Sequence, residues 1–182
     1  MPGRQRPGRP SGSRRAWGWH PLTADWAERV VEATPVRPGD LVLDLGAGTG
    51  ALTAPLTRLG AEVLAVELHP GRAARLAERF GGEVRVLAVD LRELRWPRRP
   101  FRVVASPPYQ LSTELVRGLL GTDRLLSADL VLQRGAVRRL SDGGVRARHA
   151  RRYRLSEGGR LPRSAFRPPP QVDSSVLRVR RR

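Results

Sequence analysis

The sequence predicts an α/β domain built on a largely parallel sheet with helices on both faces. Three observations carry this. Short, continuous apolar runs rich in Val and Leu recur along the chain, the pattern of strands buried on both faces. Segments of helical periodicity separate them, and such alternation gives parallel sheets. The first run, LVLDL at 41–45, feeds into a glycine-rich turn, and α/β sheets hold their ligands just beyond the carboxyl ends of the strands.

The elements follow in order. Residues 1–15, MPGRQRPGRPSGSRR, hold almost nothing apolar and are predicted to be a disordered basic arm. Order is expected to begin near Trp17, so residues 16–182 make one domain. Leu22, Trp26 and Val30 recur at helical spacing over 22–33, and Pro35, Pro38 and Gly39 end that helix. LVLDL is the first strand, and a helix over 50–59 stops at Gly60. EVLAVE (62–67) is a second strand, followed by a helix over 71–80 with Arg72, Arg75 and Arg79 on its outer face. VRVLAV (84–89) and FRVVA (101–105) are the third and fourth strands. The helix over 112–120 takes Ser112 or Thr113 as its cap. ADLVLQ (128–133) is a fifth strand, leading into a helix at 134–140. SSVLRVR (175–180) reads as the last strand. Residues 141–170 are the least legible, with a short strand expected near Tyr153–Leu155. No internal repeat is visible.

Composition narrows the function. The chain has 182 residues, 40% of them hydrophobic, and at this size about 70% of the unfolded surface can be buried. There are 34 basic residues against 17 acidic, a net charge of +17, and every basic residue is Arg. Lys, Asn, Ile and Cys are absent, a bias typical of a GC-rich genome. Without cysteine there is no disulfide, no thiolate nucleophile and no cysteine-ligated zinc. His20, His69 and His149 are scattered, so no metal site is expected. No apolar run approaches the roughly 18 residues of a membrane span. Arg14-Arg15 is followed by AWGWHPLTADW, too polar for a secretion signal, and a cytoplasmic location is expected. The charge calls for an anionic partner, nucleic acid first; the plainer alternative is a solvated basic surface.

Three loops carry the chemistry. Asp44-Leu-Gly-Ala-Gly-Thr-Gly50 opens a helix after the first strand. Gly46 and Gly48 let backbone approach a ligand, and the helix start offers unpaired N–H groups. The G-x-G-x-G spacing departs from the phosphate-binding G-x-G-x-x-G. Asp44 would repel a pyrophosphate but suits a cationic amino group. Glu67 ends the second strand, where a carboxylate holds ribose hydroxyls. Asp90 ends the third, where it can accept from an adenine amine. An ammonium, a ribose and an adenine without phosphate describe S-adenosylmethionine; a plain tight strand–helix turn is the alternative.

Ser106-Pro107-Pro108-Tyr109 follows the fourth strand. The prolines stiffen the loop and hold Ser106 extended. The Ser106 hydroxyl and the Pro107 carbonyl are two acceptors for the two hydrogens of a planar nucleobase amine, beside an aromatic face. They would aim the amine lone pair at a sulfonium methyl by position and electrostatics. Tyr109 can stack on a flipped base, or brace a core loop. Phe166-Arg-Pro-Pro-Pro-Gln-Val-Asp-Ser-Ser175 is the second aromatic–proline loop. Phe166 is expected to cover the other face of the base, or else to plug the core.

The chain resembles the rRNA adenine-N6 methyltransferases of the Erm and KsgA type. The matching pieces are LVLDLGAGTG, AVELHP, AVDLREL, VVASPPYQLSTELV, LVLQRGAVRRL and FRPPPQVDSSVLRVRR, in family order over residues 16–182. The resemblance implies a Rossmann-like methyltransferase with a mostly parallel sheet of seven strands, or one fewer. It makes 16–182 the catalytic domain and S-adenosylmethionine the cofactor. His20, Leu22, Gly46, Glu67, Asp90 and Ser106 match the donor-binding positions, while Tyr109 and Phe166 match the two aromatics that hold the adenine. The Erm branch is the more similar. It implies methylation of an adenine in the peptidyl-transferase loop of 23S rRNA, and resistance to macrolide, lincosamide and streptogramin B antibiotics. The expected partner is 23S rRNA or a 50S assembly intermediate, with the protein a monomer off the membrane.

Four features depart from the family. Trp19-His20-Pro21-Leu22 stands where Gln-Asn-Phe-Leu is usual, so His20 could instead be a packing or capping residue. Ser106 replaces the usual Asn, a form similar to DNA cytosine-N4 methyltransferases. Residues 141–163 look compressed, which could cost a strand. The chain ends after the last strand, where most relatives carry a small helical domain that grips RNA. Arg4, Arg6, Arg9, Arg14 and Arg15, with Arg138, Arg139, Arg146, Arg148, Arg151 and Arg152, are candidate phosphate contacts in its place. A 16S rRNA dimethylase, a DNA amino-methyltransferase and a non-catalytic RNA-binding protein remain as rival readings.

Overall fold

A computed structural model describes residues 20–144 and 147–182. The expected basic arm and Arg146 lie outside them. Seven strands form one sheet in the order β3-β2-β1-β4-β5-β7-β6. These are β1 (Leu41–Leu45), β2 (Glu62–Val66), β3 (Arg85–Leu87), β4 (Phe101–Ala105), β5 (Leu125–Gln133), β6 (Tyr153–Leu161) and β7 (Ser174–Arg181). The first five are parallel, while β7 runs antiparallel between β5 and β6. β1 is buried on both faces after its first residue, which is why LVLDL reads as an uninterrupted apolar run.

Helices cover both faces. On one, α1 (Ala24–Glu32), α2 (Thr53–Arg58) and α3 (Pro70–Phe80) close a core around Val42, Val63, Val104 and Val131. On the other, α4 (Ser112–Gly121) and α5 (Arg134–Ser141) close a core around Leu43, Val103, Leu130 and Leu177. α3 begins at a His69 cap, whose side chain accepts from the Gly71 N–H, and ends on Gly81 in the left-handed region, the commonest helix stop.

The structure corrects several expectations. α1 starts at Ala24 and α2 spans only Thr53–Arg58, because Gly50–Leu52 form turns. The third strand is confined to Arg85–Leu87, whereas β5 begins three residues early at Leu125. Neither Ser112 nor Thr113 caps α4; Ser112 Oγ donates back to the Tyr109 carbonyl at 2.7 Å. The sheet loses no strand. β6 runs nine residues, and a register shift between Glu157 and Arg160 absorbs Gly158-Gly159. That bulge breaks the alternation, which hid all but the start of β6 from the sequence. A short helix, α6 (Ala147–Arg152), precedes it.

β1 sits between β2 and β4, so the chain reverses direction across the sheet there. Loops leaving the carboxyl ends of β1, β2, β3 and β4 converge on that crevice.

Candidate active site

A cavity of about 250 Å³ fills the crevice. His20, Leu22, Asp44, Gly46, Gly48, Glu67, Asp90, Ser106, Pro107 and Tyr109 all line it. Phe166 does not. It is 1% exposed and sits in the core, where its backbone bridges Leu22. Burial leaves Phe166 no free face for a base, which corrects the expected clamp.

The glycine turn is shaped by its neighbours. The N–H groups of Gly46 and Ala47 both donate to the Val66 carbonyl, at 2.8 and 3.0 Å, tying the turn to β2. Gly46 has φ +78, and a Cβ there would stand 3.2 Å from Pro108 Cδ and 3.4 Å from Pro107 Cα. The proline loop therefore rests directly on the glycine turn. Only glycine combines that φ with that contact.

Three carboxylates face the cavity in different states. Asp44 is 2% exposed and accepts from Thr53 Oγ1 at 2.7 Å. Burial pushes its pKa up to about 7, so a nearby cation would favour its ionised form. Glu67 accepts from the Gly48 N–H at 2.9 Å, the His69 N–H at 2.8 Å and Arg72 Nη2 at 2.7 Å. A carboxylate offers about four acceptor positions, so one remains for a ribose hydroxyl while Arg72 holds its place. Asp90 is gripped by Arg92 through Nε at 3.0 Å and Nη2 at 2.6 Å. Those bonds hold its carboxyl well below the usual range.

Sequence reasoning placed Arg72 on the outer face of its helix. The structure turns it inward, onto Glu67, with 18% of its side chain exposed. Arg92 also lines the cavity. The signal was present in the spacing, since each arginine lies within five residues of the carboxylate it pairs with.

The tyrosine is held at both ends. Tyr109 Oη shares a hydrogen bond with Ser174 Oγ at 2.8 Å, and burial raises its pKa. The ring stacks with His20, centroids 6.3 Å apart and planes 21° off parallel. His20 Nδ1 donates to the Pro168 carbonyl at 2.9 Å. The loop carrying Phe166 thus reaches the site through Pro168 and His20. His20 faces the tyrosine where Phe166 was expected.

The residues fit S-adenosylmethionine. A buried carboxylate with a raised pKa suits its cationic end, while Glu67 and Asp90 keep acceptor capacity for the ribose and the adenine amine. Leu22, Leu91 and Leu111 add apolar wall. Among the described residues no cluster of His, Asp and Glu could hold a metal. No described helix is long and apolar enough to cross a membrane.

The fold and this pocket have the architecture of the Rossmann-like, S-adenosylmethionine-dependent methyltransferase class. Comparison with known proteins narrows it: the profile described as Ribosomal RNA adenine dimethylase matches residues 23–156, and the chain belongs to that family. The chain is similar to an rRNA adenine N-6-methyltransferase of Streptomyces fradiae, 36% identical over 167 residues, covering 86% of this chain and 52% of that protein. It is also similar to a Ribosomal RNA small subunit methyltransferase A of Cupriavidus metallidurans, 34% identical and covering 82% and 59%. Among solved structures it resembles the 23S rRNA methyltransferase ErmE, with a TM-score of 0.80, 28% identity, and 88% and 69% of the two chains covered. The chain spans about half the length of the Streptomyces relative.

Proposed function

We propose that this protein transfers a methyl group from S-adenosylmethionine to N6 of an adenine in the peptidyl-transferase loop of 23S rRNA. The observation that carries it is the seating of Ser106-Pro107-Pro108-Tyr109 on Gly46. That contact joins the amine-holding loop to the donor turn in one cavity. The bound cofactor would supply an electrophilic methyl. Asp44, Glu67 and Asp90 bind and orient it. The Ser106 hydroxyl and the Pro107 carbonyl accept from the two N6 hydrogens and point the lone pair inward, and the displaced proton passes to solvent. Tyr109, fixed through Ser174, stacks on the base. His20 supplies the second face: its ring centroid lies 6.3 Å from that of Tyr109, and the two rings must part further to admit a base at roughly 3.5 Å from each wall. A methyl on that amine removes a hydrogen-bond donor and adds bulk where macrolides, lincosamides and streptogramin B bind, which gives resistance.

The RNA contacts fit this reading. α5 starts beside the site, since the Arg134 N–H donates to the Asp173 carbonyl at 3.0 Å. Arg138, Arg163 and Arg167 stand exposed near that rim. The partner is 23S rRNA or a 50S assembly intermediate, met by a cytoplasmic monomer. A 16S rRNA target is the second reading, favoured by the small-subunit methyltransferase relatives.

The test is methyl transfer from labelled S-adenosylmethionine to unmodified 23S and 16S rRNA, mapped by primer extension. One marked adenine in the peptidyl-transferase loop is expected, lost in Tyr109→Ala with cofactor binding retained. A mark on 16S rRNA alone selects the second reading. Cofactor binding without transfer to either RNA points to another acceptor, such as DNA. No cofactor binding leaves a non-catalytic RNA-binding protein.

A further inference from the structure

The start of α3 carries a cation in an unusual place. Arg72 is the third residue of that helix, whose first turn holds no acidic residue. Helix N-termini favour carboxylates and disfavour cations, and the third position is where a capping Glu or Gln is common. Helix chemistry therefore does not account for this arginine. Its partner lies outside the helix. Arg72 Nη2 donates to Glu67 Oε1 at 2.7 Å, with 18% of the arginine side chain and 4% of the glutamate side chain exposed. Both residues line the cavity. The turn between them is braced: the Gly71 N–H donates to His69 Nδ1 at 3.1 Å, and the Arg72 N–H donates to the His69 carbonyl at 3.0 Å. A fixed turn thus delivers the guanidinium to the carboxylate.

The two oxygens of Glu67 are used unequally. Oε1 accepts from the His69 N–H at 2.8 Å and from Arg72. Among the described residues, Oε2 accepts from the Gly48 N–H at 2.9 Å. The two backbone donors already orient the carboxylate, so orientation alone does not need the arginine. Each carboxylate oxygen has about two acceptor positions. Oε1 is full, and Oε2 keeps one.

A ribose carries two hydroxyls on adjacent carbons. A carboxylate with both oxygens open can accept from each of them. Here the guanidinium stands where the second would donate. We propose that Arg72 is a specificity-determining residue: by filling Oε1 it limits recognition of the cofactor's ribose to one hydroxyl, which donates to Glu67 Oε2. The other hydroxyl finds no acceptor on Glu67, so the pocket takes a cofactor that lacks it. This rests on the placement of the ribose at Glu67 under the proposed function.

The test is calorimetric titration of the full chain with S-adenosylhomocysteine and with its 2′-deoxy and 3′-deoxy analogues. A hydrogen bond to a charged group is worth about tenfold or more in affinity. In the native protein one analogue is expected to bind at least about tenfold more weakly than the parent, and the other within about threefold of it. Arg72→Met opens Oε1, and both analogues should then lose about tenfold or more relative to the parent. Arg72→Gln keeps a donor for Oε1 and should retain the native pattern. An arginine that only stabilised the fold would shift all three ligands by one factor and leave their ratios unchanged. Losses of about tenfold on both analogues in the native protein overturn the proposal, with no variant needed. A native pattern that persists in Arg72→Met also overturns it. Parent binding with neither analogue weakened overturns the ribose placement at Glu67, and the proposal with it.

Discussion

Single residues set the electrostatics of the cavity. Asp44 titrates near 7 because it is buried, while an unfolded aspartate titrates near 3.8. The native state therefore holds the proton longer, and stability falls as pH rises from about 4 to about 7. The full penalty, on the order of 4 kcal/mol at 1.36 kcal/mol per unit, is present above that window. Asp44→Asn keeps an acceptor for Thr53 and loses the charge, so its stability gain over the native protein should widen across the same window in urea titrations. In the proposed placement of the cofactor, its cationic end beside Asp44 selects the ionised form. Its affinity should rise about tenfold between pH 6 and pH 8, and the Asn variant should show a flat profile by calorimetry. The acids at 44, 67 and 90 were legible because each lies at or just beyond the carboxyl end of an apolar run. Arg72 and Arg92 were not read as their partners, because rotamer direction is decided by the packed helix and loop. Phe166 turned into the core and His20 toward Tyr109 for a similar reason: a motif says that an aromatic is present, not which way it faces.

At the scale of elements, tight contacts fix the turns. Gly50 follows the glycine turn with φ +86, and a Cβ there would fall 2.8 Å from Phe80 Cε2 and 2.9 Å from Leu76 Cδ2 of α3. Gly50→Ala combines a disallowed φ with overpacking. It should cost about 2–4 kcal/mol, or roughly 5–15 °C in Tm for a chain of this size, read by thermal melts. The parallel strands β1, β2, β4 and β5 were legible because double burial makes them apolar runs. β6 was not. It is an edge strand of the sheet, so Arg154, Ser156 and Arg160 can be polar, and its bulge breaks the period of two.

At the scale of the molecule, charge dominates. The 17 acids could each pair with an arginine and 17 cations would remain. Eleven ion pairs between described residues already engage most of the buried and half-buried acids, among them Glu67, Asp90 and Asp129. On the proposed function the surplus serves phosphate contacts. Binding to single-stranded rRNA segments should lose affinity steeply with salt, with a log–log slope near −4 if about six phosphates are neutralised at roughly −0.7 each. Filter binding between low and moderate salt checks this, and a slope near zero would show that the charge is not used for RNA.

The sequence by itself determined the α/β class, the order of the strands along the chain, the three acids near the carboxyl ends of strands and the proline–tyrosine loop. These are local patterns of burial period and turn chemistry, written within a few neighbouring residues. Only the tertiary structure decided that Phe166 is core and His20 faces Tyr109, and that Arg72 and Arg92 close on the carboxylates. Those outcomes depend on side chains brought together from distant strands and helices, and packing, not periodicity, chooses where each one points.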